Sequence, residues 1–415
     1  MVTSRSKANY SFNPIDPELL KDPYPIYQYL REDDPLHWSD LGIWVLTRYE
    51  DCRSVLVDKN FGQGDFVKNI QLFYGPDFDV LSHSSYAWLS RAFVMQDPPD
   101  HTRLRGLIAS ALSLKRIRMM EPRIRVLAKR LLEAYRTGDN DNFIFEFAYK
   151  FPTLVMCDML GMNEDEYSSD VLLSLNQAIA ESFIVFETRA LSAQELFKAD
   201  EQMTYLMKFF GDLFESRRRN PRDDLTTALV HAQDGEHGAL TSEELATSVI
   251  GLFGAGFETT AHMIGNGIFC LGEHPDQQKI LIDSPDIACD AVEEILRYES
   301  SLQATYRTAL VDREIDGQRI KQGERVLTIV AAANRDRDVF TNPEDFDIAP
   351  RSEKSLTFGG GIHFCIGAAL ARLEGKVFLE ELVVNYPKFT VDVDSARLRN
   401  AFLFRGYEYL RVDLC

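Results

Sequence analysis

The stretch FGGGIHFCIG, from Phe358 to Gly367, decides how the rest of the chain is interpreted. It places one cysteine, Cys365, in a glycine-rich loop two residues after His363, and Gly367 opens a predicted helix. Glycines let a backbone approach a flat ligand closely, and a helix N-terminus favours a thiolate. The loop therefore indicates a site in which a single sulfur is used.

Several uses of Cys365 differ in what they need nearby. A buried structural thiol is the commonest fate of a lone cysteine, but it does not need three glycines. A nucleophile needs an adjacent base, and side chains at i and i+2 of an extended loop, such as His363 and Cys365, usually point apart. A zinc ion needs further ligands at metal spacing, and the sequence has none nearby. One axial thiolate to an iron porphyrin needs a single sulfur with N–H groups aimed at it, which the loop favours.

The composition is that of an ordinary soluble globular chain, with 415 residues, 45% of them hydrophobic and 26% charged. A formal net charge of −19 argues against nucleic acid and anionic membranes as partners. The N-terminal MVTSRSKANYSFNP lacks the apolar core of a signal peptide, and no apolar run predicts a membrane span. Six scattered cysteines favour a reducing compartment, so we expect a cytoplasmic protein.

Apolar residues at helical spacing dominate from about Asp100 to Tyr298. Strand-like runs occur at Leu41–Tyr49, Thr305–Val311 and Arg325–Asn334. The chain has no repeat and no linker that separates domains. These patterns predict a mainly α fold with small β-sheets in its N- and C-terminal parts, as one domain over residues 1–415.

A long helix is predicted over TSEELATSVIGLFGAGFETTAHMIGNGIFCLGEH, from Thr241 to His274. Thr241 and Glu244 have the spacing of a capping box, and His274-Pro275 supplies a stop. At ~1.5 Å per residue the helix measures about 50 Å, enough to cross a domain. Its apolar character on most sides predicts burial.

The middle of this helix carries Gly254 and Gly256, followed by Glu258, Thr259 and Thr260. A threonine within a helix can donate its hydroxyl to the carbonyl four residues back, which here belongs to Ala255. One interpretation is a close helix contact at the glycines, with a threonine bonded to the backbone. The other is a small groove beside a hydroxyl and a carboxyl, suited to a small ligand and to proton delivery.

Charged residues form two further candidate groups. Glu294 and Arg297 are at i, i+3 on one helix, and Arg351 could complete a bidentate network around Glu294, although such a pair is usually solvated. His101 and Arg105, at i, i+4 after a Pro-Pro break, can point from one helix face. With Arg307 and His363 they could hold a ligand with two carboxylates, although each alone reads as a surface charge.

Together these motifs resemble the cytochrome P-450 superfamily of haem-thiolate monooxygenases, and its soluble bacterial members in particular. The cysteine signature is matched by Phe358, Gly361, His363, Cys365 and Gly367; the oxygen-groove motif by Ala255, Gly256, Glu258, Thr259 and Thr260; and Glu-x-x-Arg by Glu294 and Arg297. The motifs occur in family order over nearly the whole chain. One departure is Ser301 in RYESSLQ, where many relatives have proline.

The resemblance implies a fold in which the long helix crosses over a haem b group. Haem contacts are expected from His101, Arg105, Ala255, Arg307, Phe358, Gly359, His363, Cys365 and Gly367, with Cys365 as the iron ligand. Thr259 and Glu258 would be catalytic, the first by hydrogen bonding on the oxygen side and the second by relaying protons through water. Glu294, Arg297 and Arg351 would form a structural brace.

Electrons would come from outside, because the chain has no flavin or nicotinamide fingerprint. The resemblance implies a ferredoxin or flavodoxin as donor, with NAD(P)H used only through that partner. Between Arg103 and Arg130 nine basic residues accompany one acid, Glu121. We expect part of this stretch, around Lys115 and Arg116, to dock an acidic donor. The alternative is a solvated helix face.

The substrate is expected to be a hydrophobic or amphipathic small molecule, of the kind met in secondary metabolism. Aromatic residues are concentrated between Phe61 and Phe93 and between Phe183 and Phe214, as ordinary core or as the lining of a ligand cavity. Candidate pocket residues are Phe93, Phe183, Phe253, Phe257, Leu302 and Thr305. Rival functions are a peroxide-driven hydroxylase or decarboxylase, and a haem-thiolate sensor or carrier without turnover.

Overall fold

Helices make up most of the computed structural model, which describes residues 10–163, 166–234 and 238–415. In chain order they are α1 (Pro17–Lys21), α2 (Tyr24–Asp33), α3 (Tyr49–Val57), α4 (Phe66–Tyr74), α5 (Ser84–Arg91), α6 (Asp100–Ala111), α7 (Leu114–Met119), α8 (Glu121–Thr137), α9 (Lys150–Met159), α10 (Ser169–Ser182), α11 (Ala193–Arg219), α12 (Leu225–Val230), α13 (Ser242–Glu273), α14 (Pro275–Asp283), α15 (Ala288–Tyr298), α16 (Val330–Ala333) and α17 (Ala368–Asn385). Short helical turns lie at Val80–Ser82, Phe93–Met95, Ile144–Ala148, Phe183–Phe186, Pro285–Ile287 and Gly361–His363.

The strands are short and form small sheets. They are β1 (Leu36–Trp38), β2 (Ile43–Leu46), β3 (Phe61–Gly62), β4 (Gln233–Asp234), β5 (Gly238–Ala239), β6 (Thr305–Ala309), β7 (Arg313–Ile315), β8 (Gln318–Ile320), β9 (Arg325–Thr328), β10 (Thr390–Leu398) and β11 (Tyr407–Asp413). The largest sheet has the order β1-β2-β9-β6-β3, with β2 and β9 parallel and the other neighbours antiparallel. The predicted mainly α class with small sheets is confirmed.

The long helix α13 begins with the predicted capping box. The Thr241 hydroxyl accepts the Glu244 N–H at 3.2 Å, and the Glu244 carboxylate accepts the Thr241 N–H at 2.9 Å. Its 32 residues extend about 48 Å at ~1.5 Å per residue. It contacts α9, α11, α15, α17 and β10, so most of its surface is buried. The residues in its middle are therefore held inside the protein.

The predicted strand over Arg325–Asn334 is wrong in its second half. β9 ends at Thr328, and Val330–Ala333 forms the short helix α16. The Ala331 N–H bonds to the Gln303 carbonyl instead of continuing the ladder, and the Asn334 N–H bonds to Val330 at 2.9 Å. Alanine is a strong helix former and a poor strand former, so the run AAA turns the chain out of the sheet.

The hydrophobic core surrounds α13 and extends to α8, α9, α11, α15 and α17. Two smaller clusters lie on either side of the five-stranded sheet, one with α3 and one with α2 and α16. Within the described ranges, no helix is both long and apolar enough to cross a membrane.

Candidate active site

One cavity brings together the glycine loop and the middle of α13. From the loop it is lined by Phe358, Gly359, His363 and Cys365, and from α13 by Gly254, Ala255, Glu258, Thr259 and Thr260. Arg105 from α6 and Arg307 from β6 also line it. Two motifs that lie about a hundred residues apart in the sequence therefore face a common space.

The glycines of the loop serve the shape of the loop itself. Gly359 and Gly361 have φ angles of +69° and +60°, in the left-handed region that favours glycine. A Cβ at Gly361 would lie 2.5 Å from the Leu56 carbonyl oxygen, because the loop rests directly on the end of α3. Only Gly359 of these two lines the cavity. The sequence argument that glycines admit a flat ligand therefore did not include the packing of Gly361 on α3.

The Cys365 sulfur lies at the start of α17 and is accessible from the cavity. The Cys365 N–H donates to the Phe358 carbonyl at 2.9 Å, which closes the loop. Gly367 is the N-cap of α17 and lies behind the sulfur, outside the cavity lining. Burial raises the pKa of the Cys365 thiol, while the Gly367 N–H and the Arg105 guanidinium oppose that rise. A metal cation bound to the sulfur would reverse the preference for the thiol.

His101 and His363 lie side by side with no hydrogen-bond partner among the described residues. Their ring centres are 4.3 Å apart, and all four ring nitrogens are buried and unpaired. Burial lowers the pKa of His363 to about 3, with further lowering by Arg307, His101 and Arg105. Burial likewise lowers the pKa of His101, with a contribution from Arg105.

Arg307 is buried beside these rings. It donates to the Tyr306 carbonyl at 2.7 Å and to the Thr305 hydroxyl at 3.4 Å, but forms no ion pair within the described chain. Burial lowers its pKa to about 10, although Asp97 opposes this. Arg307 and His363 line the cavity, while His101 packs against His363 without lining it. A buried guanidinium and unpaired imidazoles at one cavity wall fit a ligand with carboxylates. With a free sulfur in the same cavity, this donor set fits haem and its two propionates.

The ion pair of α15 is buried and its partners are satisfied. Arg297 binds both carboxylate oxygens of Glu294, at 2.7 and 2.8 Å, and donates to the carbonyls of Asn334, Pro343 and Asp345. Arg351 contacts Glu294 through Nε alone, at 3.1 Å. Arg297 therefore supplies the bidentate contact, and Arg351 joins it at Glu294, in line with the expected network around Glu294.

The oxygen-groove residues adopt the predicted backbone contact. The Thr259 hydroxyl donates to the Ala255 carbonyl at 2.8 Å, as the sequence predicts. The Glu258 side chain is buried and accepts a hydrogen bond from Arg399 Nη1 at 2.9 Å, while its Oε2 has no partner. Burial raises the pKa of Glu258, but His262 and Arg399 more than offset this and hold it below its usual range. Glu258 is therefore ionised while its neighbours are in place.

Glu258 also lines a second cavity, which adjoins the first. This second cavity is lined by Glu187, Arg189 and Arg399, and by residues of α1 and its approach. Sequence analysis missed Arg399 and His262. His262 lies four residues after Glu258 on α13 and could have been found by helical spacing. Arg399, at the end of β10, is 141 residues away, and no local signal connects it to Glu258.

Four of the six candidate pocket residues line the cavity: Phe93, Phe183, Leu302 and Thr305. Phe253 and Phe257 do not. They are fully buried, their tilted rings lie 5.7 Å apart between centres, and Phe253 meets Phe210 of α11. The cavity face of α13 is the next one around the helix, with Gly254, Ala255 and Glu258, so a shift of one residue moved this prediction to the wrong side.

The two aromatic segments divide between cavity and core. Phe66, Phe73, Trp88 and Phe186 line the cavity. Tyr74 stacks on Phe78 and Tyr86 meets both rings edge-on, Phe209 packs against the buried Phe210, and Phe197 is exposed. The aromatic residues therefore include both cavity-lining residues and ordinary core residues, as the two interpretations of the sequence predicted.

The basic stretch from Arg103 to Arg130 is not one free patch. Arg103 pairs with Glu244, Arg123 with Asp158 and Arg116 with Asp223. Arg125 binds Glu121, Glu380 and Glu381 at 2.7 to 3.1 Å. Lys115 and Arg118 are exposed, and within the described ranges neither forms an ion pair. Acids distant in the sequence, which a local charge count does not include, pair with Arg103, Arg116, Arg123, Arg125 and Lys129.

Comparisons with known proteins agree with this geometry. The family model described as "Cytochrome P450" matches residues 42–283 and 288–400. The Vitamin D(3) 25-hydroxylase of Pseudonocardia autotrophica is 33% identical, over 95% of this chain and 94% of that protein. The biotin biosynthesis cytochrome P450 of Bacillus subtilis (strain 168) is 34% identical, over 95% of this chain and 97% of that protein.

Solved structures have the same fold over nearly the full length. CalO2 superposes with a TM-score of 0.87 at 28% identity, covering 98% of this chain and 99% of that one. P450BioI, in complex with an acyl carrier protein ligated to hexadec-9Z-enoic acid, gives a TM-score of 0.86 at 32% identity. It covers 96% of this chain and 99% of that one.

Proposed function

Because the chain belongs to the cytochrome P450 family, we propose that it inserts one atom of dioxygen into a hydrophobic small molecule, by hydroxylation or epoxidation. The chain is a P450 monooxygenase, an enzyme that uses haem and dioxygen and receives electrons from a redox partner. Haem b, the class of electron donor and a single domain over residues 1–415 belong to the proposal. One observation carries it: Cys365 and the Glu258-Thr259 pair line the same cavity.

Cys365 would hold the haem iron, and His101, Arg105, Arg307 and His363 would hold the propionates. Ala255, Phe358 and Gly359 would pack on the faces of the ring, and Gly367 would present its N–H behind the sulfur. When bound, haem supplies dioxygen binding and the oxidising power for transfer of one oxygen atom. The protein supplies the thiolate, the counter-charges and a cavity that excludes water.

The proton pathway would begin at Glu258. Its Oε1 accepts a hydrogen bond from Arg399, its Oε2 has no partner, and the residue lines both cavities. A proton taken up at Oε2 from the second cavity can pass by water to the Thr259 hydroxyl on the other side. The Thr259 hydroxyl can then exchange its bond to Ala255 for a bond to a group in the main cavity. Glu258 and Thr259 thus hold and move a proton.

The electron donor would be a ferredoxin or flavodoxin, itself reduced by NAD(P)H. We place the docking site for this donor at Lys115 and Arg118, because both are exposed bases of the 103–130 stretch. The exposed side chains of Leu114 and Met119 lie next to them in the sequence. Changing Lys115 and Arg118 to glutamate should slow reduction and weaken its dependence on salt, because an acidic donor loses attraction. Stopped-flow reduction by a ferredoxin measures this, with Lys279→Glu on α14 as the control. Unchanged kinetics would contradict the docking site.

The substrate would be apolar and of the kind met in secondary metabolism. Aromatic and aliphatic cavity residues support this, among them Phe66, Phe93, Phe183 and Leu302. Similar proteins include a 6-deoxyerythronolide B hydroxylase and a polyketide biosynthesis cytochrome P450. The enzyme would act in the cytoplasm, where a reduced donor and NAD(P)H are at hand.

Two measurements test the proposal. The reduced, carbon monoxide-bound protein should show the strongly red-shifted Soret band of a thiolate-ligated haem, and Cys365→Ser should lose it. Thr259→Ala should uncouple the enzyme, so that reductant is consumed and hydrogen peroxide is released. Thr259→Ser keeps a hydroxyl and is the control. A sensor, a carrier or a peroxide-driven enzyme would be indifferent to Thr259→Ala, and that result would overturn the proposal.

A further inference from the structure

A half-buried arginine on the cavity wall has no role among the groups assigned to haem. Arg325 is the first residue of β9 and lines the cavity with Tyr306 of β6 and Asn69 of α4. Its guanidinium carbon lies 4.0 Å from the centre of the Tyr306 ring. Its Nη1 donates to the Asn69 carbonyl at 3.3 Å. These contacts fix the guanidinium without neutralising its charge.

No carboxylate in the described part of the chain balances Arg325. Its Nε is buried without a hydrogen-bond partner. Burial lowers the pKa of Arg325, and Tyr306 alone opposes that shift. Glu187 also lines the cavity, but the cations that act on its carboxylate are Arg189 and Arg399. A desolvated cation without a counter-charge is costly, so Arg325 has an unmet requirement for an anion.

Three buried arginines that do not line the cavity are each paired with an acid. Arg217 binds Asp224 at 2.7 Å, Arg297 binds Glu294 at 2.7 Å, and Arg405 binds Glu299 at 2.6 Å. Each has an acid from its own chain. Arg325 has only an aromatic ring and one carbonyl. The difference lies in position, because Arg325 faces the cavity and the other three do not.

Hydroxyl groups beside Arg325 are also unpaired. Tyr306 lies near Thr188, yet neither hydroxyl has a hydrogen-bond partner of good geometry in the described chain. Both residues line the cavity. A guanidinium with free N–H groups and two hydroxyls beside it form a cluster of donors. Such a cluster suits an acceptor-rich, negatively charged group.

We propose that Arg325 and Tyr306 bind a carboxylate at one end of the hydrophobic substrate. This deepens the proposed function and rests on it, because it names the substrate class as carboxylic acids with a large apolar body. The planar guanidinium can donate parallel N–H bonds to both carboxylate oxygens, and the Tyr306 hydroxyl can donate a further bond. The aromatic remainder of the wall would cover the apolar body.

Calorimetric titration of the haem-loaded enzyme with decanoate and methyl decanoate tests this subsite without turnover. At about pH 8 the acid is ionised while the ester is neutral. Decanoate should bind at least about tenfold more tightly than its ester, and Arg325→Gln should abolish that preference. Binding of the ester should change less than about twofold in the variant. Deoxycholate and its methyl ester repeat the comparison with a polycyclic body.

Matched variants separate the subsite from general effects of charge. Arg48→Gln removes a partly exposed guanidinium beside β2, outside the cavity, and should keep the preference for the acid. Tyr306→Phe should weaken decanoate binding about threefold and leave ester binding unchanged. If Arg325→Gln does not fold, Arg325→Lys retains the charge and should show a reduced preference, since the fork is lost.

Each outcome bears on one proposal at a time. Equal affinity for acid and ester in both pairs of ligands, or an acid preference that survives Arg325→Gln, would overturn the subsite. Tighter binding of the esters would overturn it as well and would favour an acyl chain tethered to a carrier. The carbon monoxide-bound spectrum of the same sample reports separately on the haem-thiolate proposal, so failure of one leaves the other readable.

Discussion

The ion pair of α15 and the wall of the cavity both contain arginine and glutamate, but these side chains are paired in the first and partly unpaired in the second. In the ion pair, Arg297 donates two hydrogen bonds to Glu294 and also donates to three backbone carbonyls. On the wall, Arg325 Nε, the Tyr306 hydroxyl and Glu258 Oε2 have no partner within the described chain. Buried polar groups are normally paired, so unpaired ones that line a cavity indicate where a ligand can complete the structure. The contrast separates framework from site.

Breaking the framework should have the largest effect. Arg297→Ala leaves the buried Glu294 carboxylate without its bidentate partner, and should lower the free energy of unfolding by about 3–5 kcal/mol. Urea denaturation followed by circular dichroism measures this. Arg319→Ala removes an exposed ion pair with Asp312 and should change stability by less than about 0.5 kcal/mol. Equal urea midpoints for the two variants would contradict a stabilising role of the Glu294–Arg297 ion pair.

Arg399→Met should affect the site and spare the framework. His262 and Arg399 both offset burial at Glu258, and without Arg399 only the first of these two remains, so the pKa of Glu258 rises and the acid limb of the pH–rate profile should move to higher pH. Because the pKa of Glu258 is lower in the folded than in the unfolded protein, the ionised carboxylate stabilises the fold at pH values above its unfolded-state pKa. This stabilisation is lost as the pH falls through the folded-state pKa, and the variant lacks it at neutral pH. Turnover should fall about tenfold.

The neighbouring Arg397→Met provides the control for Arg399. Arg397 lies on β10, two residues before Arg399, but it is exposed and makes a long 3.8 Å contact with Glu408, so its loss should leave the pH profile in place. A profile that shifts equally in both variants would mean that net charge, and not the bond to Glu258, sets it.

Gly254→Ala should reshape the cavity wall at a smaller cost. A Cβ there would lie 2.3 Å from the Phe183 ring, so the ring must move. Overpacking of this kind costs about 1–3 kcal/mol. Ligand affinities should change while the Soret band of the haem stays in place. Thermal unfolding and calorimetric ligand titration measure the two effects, and unchanged affinity would contradict the role of Phe183 in the lining.

Gly211→Ala should have the smallest effect and the opposite sign. Gly211 lies inside α11, and nothing lies within 4 Å of a Cβ built there. Alanine should therefore stabilise the protein by about 0.5–1 kcal/mol, since the unfolded chain has fewer conformations with alanine than with glycine. Thermal unfolding tests it. A loss of stability would mean that α11 depends on that glycine for packing.

Local patterns in the sequence predicted the framework well. The capping box at Thr241, the apolar periodicity of α13 and the helix after Gly367 are each set by neighbouring residues, so each is readable from the sequence. The bond from Thr259 to Ala255 spans four residues and was predicted for the same reason. The strand beyond Thr328 was wrong because the alanine run competes with the sheet.

Long-range contacts could not be read in the same way. Arg399 reaches Glu258 from the C-terminal hairpin, and Glu381 neutralises Arg125 across the interface of α8 and α17. Phe253 and Phe257 were assigned to the cavity because the sequence gives the periodicity of α13 but not which neighbour covers each face. Arg325 carried no motif, and only its lack of an acid in three dimensions distinguishes it.

The pairing of β6 with β9 places the proposed substrate-binding residues and a proposed haem-binding residue on one pair of strands. Tyr306 pairs with Leu327, Arg307 with Val326 and Thr308 with Arg325, so neighbouring positions alternate in direction. Point substitutions at 306 and 325 can therefore retune which molecules are accepted while position 307 keeps its partners. An insertion or deletion of one residue would exchange the two sides and lose both roles. Lineages that diversify their chemistry are expected to vary the identity of these residues and to preserve the length of the strand.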